Sequence, residues 1–246
     1  MTRSSWSSWP DILRQLTPKA IELDLFGLYA HSPATVRVNF VSSANGTATV
    51  DGRSAGLSGP GDRRLLQVLR ALADVVVVGA GTVRAEGYGS VRPPGALQEW
   101  RRAHGMPPGP QLAVVSGSLA LDPDSEVFSS TPVRPIILTG AHPPAARVDA
   151  LSAVAEVVAA DSPGRWLALL AERGMTRVLC EGGARLFGSL LAAGLVDELC
   201  LTLSPRLAAE DGPGVVARIA PPRPLSLMHV LEEDGFLFLR YAISRG

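Results

Sequence analysis

The sequence predicts an α/β fold: a mixed, mostly parallel sheet flanked by helices and finished by an antiparallel hairpin. Three patterns carry this reading. Val75-Val76-Val77-Val78 is a β-branched run without polar alternation, as in a central strand covered on both faces. Similar short apolar runs recur with helical segments between several of them, the rhythm of parallel strands joined by helices. Near the C-terminus two apolar runs flank Asp234-Gly235, a tight hairpin turn.

In chain order, residues 1–34 mix Ser, Trp and Pro with a short helical patch at Ile12, Leu13 and Leu16. They read as a lead-in packed on the surface of a single domain spanning 35–246. The first strand is predicted at 36–41. A Gly/Ser/Thr loop runs through Gly61, and Asp62 then anchors a helix with Leu65, Leu69 and Leu72 on one side and Arg63, Gln67 and Arg70 on the other. Further strands are predicted at 75–78, 112–115, 136–138, 155–159, 178–180 and 199–203. Helices are predicted at 165–173 and 184–193, the latter closed by Gly194. Residues 228–231 and 236–241 form the hairpin. Residues 87–110, with many Gly, Pro and Arg, read as a long loop outside the core.

Composition narrows the function classes. At 246 residues, with 46% hydrophobic and 19% charged, the chain can fill a sizeable core. Lys plus Arg equals Asp plus Glu at 23 each, so no net field draws it to nucleic acid or membrane. Lys19 is the only lysine. Cys180 and Cys200 lie in apolar runs and read as buried thiols, and four scattered histidines lack the spacing of a zinc site. No signal core follows Met1, and the apolar stretch 71–80, broken by Asp74, is too short to span a bilayer. A cytoplasmic protein is expected.

Four stretches could carry chemistry. At Val178-Leu179-Cys180-Glu181-Gly182-Gly183-Ala184 a buried strand meets two glycines and a helix begins. Glycine admits close backbone approach and a helix start favours an anion, but the spacing fits a phosphate seat and an empty tight turn equally well. A second junction, Val78-Gly79-Ala80-Gly81-Thr82-Val83-Arg84, begins like a dinucleotide fingerprint and fails it, with Arg84 where the third glycine belongs. The two junctions together suggest one cofactor seat. Glu86 is predicted at the start of a loop after a buried strand, either as a proton donor in a cleft or as a surface carboxylate paired with Arg84 or Arg92. Asn45-Gly46 is a turn signal.

Together these stretches resemble the reductase domain of bacterial riboflavin biosynthesis, the C-terminal half of bifunctional deaminase-reductases. The chain carries, in the family's order, Ser43-Ala44-Asn45-Gly46, Ser58-Gly59-Pro60-Gly61, Leu69-Arg70-Ala71, Val78-Gly79-Ala80-Gly81-Thr82, Ala85-Glu86, Val91-Arg92, Glu181-Gly182-Gly183 and Val196-Asp197-Glu198-Leu199. The resemblance runs from about Val36 to Tyr241. It implies a dihydrofolate-reductase-like fold and NADPH-dependent reduction of a ribosylamino-pyrimidine 5′-phosphate to its ribitylamino form. It implies that Gly81, Thr82, Gly182, Gly183 and Ala184 hold the cofactor, with Ser116 near the adenosine 2′-phosphate. Glu86 takes the place of the catalytic Asp, and Asn45, Ser58, Arg70 and Arg92 fall at substrate-binding positions. A homodimer is implied as well.

Two residues depart from the family pattern: Asn45 replaces the turn Asp, and Glu86 replaces the catalytic Asp. The His-x-Glu and Pro-Cys-x-x-Cys motifs of a zinc deaminase are missing, so the sequence reads as a stand-alone reductase. No arginine follows Ser116-Gly117-Ser118 at once, which leaves NADPH resting on the resemblance. Two rival readings are a dihydrofolate or secondary-metabolite reductase on the same fold and a non-catalytic nucleotide-binding protein.

Overall fold

The computed structural model describes residues 24–244 apart from 132, 210, 211 and 218–220. The patch at Ile12, Leu13 and Leu16 lies outside the described residues. In chain order the elements are α1 (Leu25–Leu28), β1 (Thr35–Ser43), α2 (Pro60–Leu72), β2 (Val75–Gly79), α3 (Ala80–Glu86), α4 (Gly95–Ala103), β3 (Gln111–Val115), α5 (Glu126–Ser129), β4 (Ile136–Thr139), α6 (Ala145–Leu151), β5 (Glu156–Ala159), α7 (Pro163–Ala171), β6 (Arg177–Cys180), α8 (Ala184–Ala192), β7 (Glu198–Ser204), β8 (Leu225–Glu233) and β9 (Phe236–Ile243). The strands form one sheet in the order β5-β4-β3-β2-β6-β1-β7-β9-β8. Every pair from β5 to β7 is parallel; β9 runs antiparallel to β7, and β8 antiparallel to β9.

The valine run of β2 shows why the sheet has two covered faces. Val76 and Val78 pack with Leu65, Leu69 and Leu72 of α2, while Val75 and Val77 pack on the opposite side with Leu186, Leu190 and Leu191 of α8. With period-2 side chains, each residue of a central strand finds apolar cover, so no alternation survives in the sequence. At the hairpin, Asp234 and Gly235 take φ of 52° and 78°, the left-handed pair that a two-residue turn needs. Gly194, at φ 66°, ends α8 as expected. No helix among the described residues is long and apolar enough to cross a membrane.

The structure corrects several expectations. α2 starts at Pro60, not after Asp62: proline fits the first helical position because its missing N–H costs nothing there. Asp62 is buried in the first turn and accepts the Ser58 hydroxyl at 2.6 Å. The 87–110 loop contains α4, whose Arg101 is fully buried. The run at 155–159 divides: Ala155 is buried in the core, and Glu156–Ala159 form an edge strand with half-exposed or exposed side chains. Ahead of β1, Tyr29 is fully buried, and Arg37 donates to the carbonyls of Tyr29 (2.8 Å) and Ala30 (3.0 Å), in keeping with a segment packed on the domain.

Candidate active site

The C-terminal ends of β2, β6 and β1 lie side by side, so the chain's exits from these strands must converge there. Two exits are the glycine junctions. Gly79 leads from β2 into α3, and Glu181-Gly182-Gly183 leads from β6 into α8. The Gly79 N–H donates to the Gly182 carbonyl at 2.7 Å, which stitches one junction to the other. Gly182 has φ 82°, and a Cβ there would lie 2.6 Å from Phe40 Cζ, so backbone conformation and space both demand glycine. The Gly182–Gly183 peptide bond is cis. A Cβ on Gly183 would come within 2.9 Å of Thr82 Oγ1, so glycine there lets the two helix starts approach closely.

Two chambers open beside this stitch. One is a cavity of about 480 Å³ whose polar lining includes Ser54, Ser58, Asp62, Arg70, Glu86 and Glu181. The other is a groove of about 620 Å³ over the ends of β2 and β3, with Arg84, Ser116, Ser118 and Arg185 along it. Gly81, Thr82, Gly183, Ala184 and Pro213 line both. The chambers therefore meet along the two glycine junctions.

The cavity's charges are already organised. Arg70 grips Glu181 through Nε and Nη2, each at 2.7 Å, and the Tyr88 hydroxyl donates to Glu181 Oε2 at 2.5 Å. Burial alone would lower the Arg70 pKa, yet the Glu181 carboxylate and Tyr88 hold it above its ordinary value. Burial and the same carboxylate push the Tyr88 phenol well up, so Tyr88 remains a donor. Glu86 is different. Its Oε1 accepts the Ser54 backbone N–H at 2.7 Å, and among the described hydrogen bonds no cation or hydroxyl engages it.

Of the residues named from sequence, Ser58, Arg70, Gly81, Thr82, Glu86, Gly183 and Ala184 line the cavity, and Ser116 lines the groove. Glu86 is the last residue of α3, not the first of a loop, and pairs with neither arginine: Arg84 donates to the Ala120 carbonyl and Arg92 to Gln98 Oε1. Gly182 shapes the turn from behind. Arg92 and Asn45 lie outside both chambers; Asn45 bonds instead to the backbone of Ala208. Sequence reasoning missed Ser54, Asp62, Tyr88 and the Glu181 side chain in the cavity, Pro213 between the chambers, and Arg84 and Arg185 on the groove. Glu181 and Arg84 had a signal in their places at the two glycine junctions, and Asp62 in its place at a helix start.

The groove has features suited to a phosphorylated nucleotide. The Ser116 hydroxyl is buried and has no partner among the described residues. The first turn of α8 leaves backbone N–H groups without intrahelical acceptors, and Arg185 adds a cation beside them.

A mostly parallel sheet with a C-terminal hairpin and chambers at its strand ends has the dihydrofolate-reductase-like architecture. Dihydrofolate reductase from Enterococcus faecalis superposes with a TM-score of 0.51 at 12% identity, covering 87% of this chain and 99% of that one, a likeness of fold alone. The match to the RibD C-terminal domain covers residues 34–232, and the chain belongs to that family. It is 30% identical over 186 residues to the 2,5-diamino-6-ribosylamino-4(3H)-pyrimidinone 5′-phosphate reductase of Archaeoglobus fulgidus, covering 73% of this chain and 84% of that protein. A pyrimidine reductase-like protein from Corynebacterium diphtheriae shares the fold at TM-score 0.81 and 28% identity, covering 90% of this chain and 99% of that one.

Proposed function

We propose that this chain reduces a ribosylamino-pyrimidine 5′-phosphate to its ribitylamino form with NADPH, as a step of riboflavin biosynthesis. The observation that carries the reading is the meeting of the two chambers along Gly81-Thr82 and Gly183-Ala184. A nucleotide in the groove and a pyrimidine in the cavity then touch only at that seam. The α8 N-terminus, Gly81, Thr82 and Gly183 would hold the diphosphate, and Ser116 with Arg84 and Arg185 would favour a 2′-phosphate and so NADPH over NADH. When bound, the reduced nicotinamide supplies hydride.

The protein's own work is orientation and proton handling. The opened sugar presents a C1′–nitrogen double bond; reduction leaves C1′ with hydride and the nitrogen with a proton. Glu86 faces the cavity with the Ser54 N–H fixing one oxygen, so it is the carboxylate free to move that proton. Asp62, held by Ser58, serves as a fixed acceptor for substrate hydroxyls, and Glu181, held by Arg70 and Tyr88, fixes the cavity's cationic side. Arg63, exposed on the cavity lining, suits the 5′-phosphate. A cytoplasmic homodimer belongs to the same proposal. The exposed Leu225, Leu227 and Met228 on edge strand β8 support the dimer, which light scattering can check.

The test is steady-state oxidation of NADPH with the diaminopyrimidinone substrate and with its aminouracil counterpart. Turnover of either is expected. Glu86→Gln should lower kcat by about 10²–10⁴-fold while leaving NADPH affinity nearly unchanged. Turnover of dihydrofolate alone, or full activity in Glu86→Gln, would sink the reading.

A further inference from the structure

We propose that Asn45 is a positioning residue whose carboxamide clamps the strap formed by residues 205–209 and 212–217, and so fixes the wall that both chambers share at Pro213. The clamp rests on the reductase reading only for which ligands fill the chambers.

The turn after β1 and the strap are joined at successive points. Ala44 N–H donates to the Arg206 carbonyl at 2.8 Å, Thr47 Oγ1 to the Ala209 carbonyl at 3.2 Å, and Ala48 N–H to the Pro213 carbonyl at 2.8 Å. At its far end the strap reaches the first residue of α8, where Ala217 N–H donates to the Ala184 carbonyl at 3.1 Å. Pro213, itself anchored through its carbonyl, lines cavity and groove alike. The Asn45 side chain engages both backbone groups of a single strap residue: Nδ2 donates to the Ala208 carbonyl at 2.8 Å, and Oδ1 accepts the Ala208 N–H at 3.0 Å.

The orientation of the carboxamide is set by its neighbours. Ser43 Oγ accepts the Thr47 N–H at 2.9 Å and donates its own proton to Asn45 Oδ1 at 2.8 Å. Oδ1 is thereby fixed as the acceptor and Nδ2 is left facing the Ala208 carbonyl. An aspartate would keep the shape and lose the donor. Its ionised carboxylate would set an oxygen against a carbonyl oxygen, whereas its protonated form would restore a donor. This accounts for asparagine at the place where the family pattern has aspartate.

Asn45→Asp is therefore an isosteric, pH-dependent probe. Near neutral pH it should raise KM for the pyrimidine about tenfold, with kcat changed far less. Hydrogen exchange of the 206–209 amides should quicken at the same time. Both defects, measured against the unmutated chain at each pH, should shrink as pH falls toward about 4, where the carboxyl takes up its proton. Asn45→Ala should weaken the clamp less and without pH dependence. Strap exchange unchanged in Asn45→Asp, or a defect that ignores pH, would overturn the proposal. If the unmutated chain reduces neither pyrimidine, the functional reading fails, while strap exchange and its recovery in acid still decide the clamp.

Discussion

At the scale of single residues, the cavity divides its carboxylates between structure and chemistry. Glu181 is committed: two bonds from Arg70 and one from Tyr88 fill its near side, and its side chain is 7% exposed. Such a pair contributes modestly as a whole, because desolvation offsets much of the attraction, but breaking it strands a buried charge. Glu181→Gln should therefore cost about 3–5 kcal/mol of stability. Tyr88→Phe, which removes one donor and leaves the ion pair intact, should cost about 1–2 kcal/mol. Urea unfolding of both variants checks the ranking; a Tyr88→Phe variant as unstable as Glu181→Gln would mean that the phenol, not the guanidinium, sustains the carboxylate.

At the scale of elements, α4 and α2 act as one unit through Arg101. Its Nη1 donates to the carbonyls of Ala71 (2.8 Å) and Ala73 (2.6 Å) at the end of α2, and its Nε to Pro107 (2.7 Å). A guanidinium satisfying the orphan carbonyls of a helix C-terminus also complements its dipole. Burial lowers the Arg101 pKa to about 10, still a cation at neutral pH. Arg101→Met fills similar space but leaves those carbonyls without donors. It should cost about 2–4 kcal/mol and, because α2 carries Arg70, raise KM for the pyrimidine; thermal melts with steady-state kinetics check both. The same unit shows where the sequence was readable. The valine run of β2 and the Asp234-Gly235 hairpin announce themselves because each depends on neighbouring residues. α4 does not, since its deepest contact is an arginine and its aromatic partner Phe26 lies in the lead-in, tilted against Trp100 with ring centroids 4.3 Å apart. In the site, Gly81-Thr82 and Gly183-Ala184 could be found as strand-to-helix junctions. Ser54, Tyr88 and Pro213 could not, because only the sheet order brings them to one cavity.

At the scale of the whole molecule, one buried charge network joins the lead-in to β1, β7 and the hairpin, and it makes stability depend on pH. Arg37 and Arg240 both hold Glu198, at 2.7 Å each, while Arg240 also donates to the Leu28 carbonyl. Burial pushes the Glu198 pKa up, but the two guanidiniums outweigh it and hold the carboxyl below its usual range. Burial first, and Arg37 next, lower the His31 pKa to about 3, and burial with Arg240 also lowers that of His229. The sign is the same for all three. Each binds its proton more weakly folded than unfolded, so as pH falls the unfolded chain takes up protons first and stability drops. The stabilisation is complete above about pH 6.5, the ordinary histidine value. His31 then gives up on the order of 1.4 kcal/mol per pH unit down toward its folded value, and the Glu198 contribution begins to fall only near pH 4. The melting temperature should thus decline in two stages, a shallow one below about pH 6.5 and a steeper one below about pH 4. His31→Gln can still donate to the Thr35 carbonyl, which His31 Nε2 meets at 3.1 Å, but it cannot titrate. That variant should lose much of the first stage and keep the second. A melting temperature that is flat from neutral pH down to the carboxylate range in the unmutated chain would mean that His31 is not held neutral, and that the junction of lead-in and sheet admits a proton without loss.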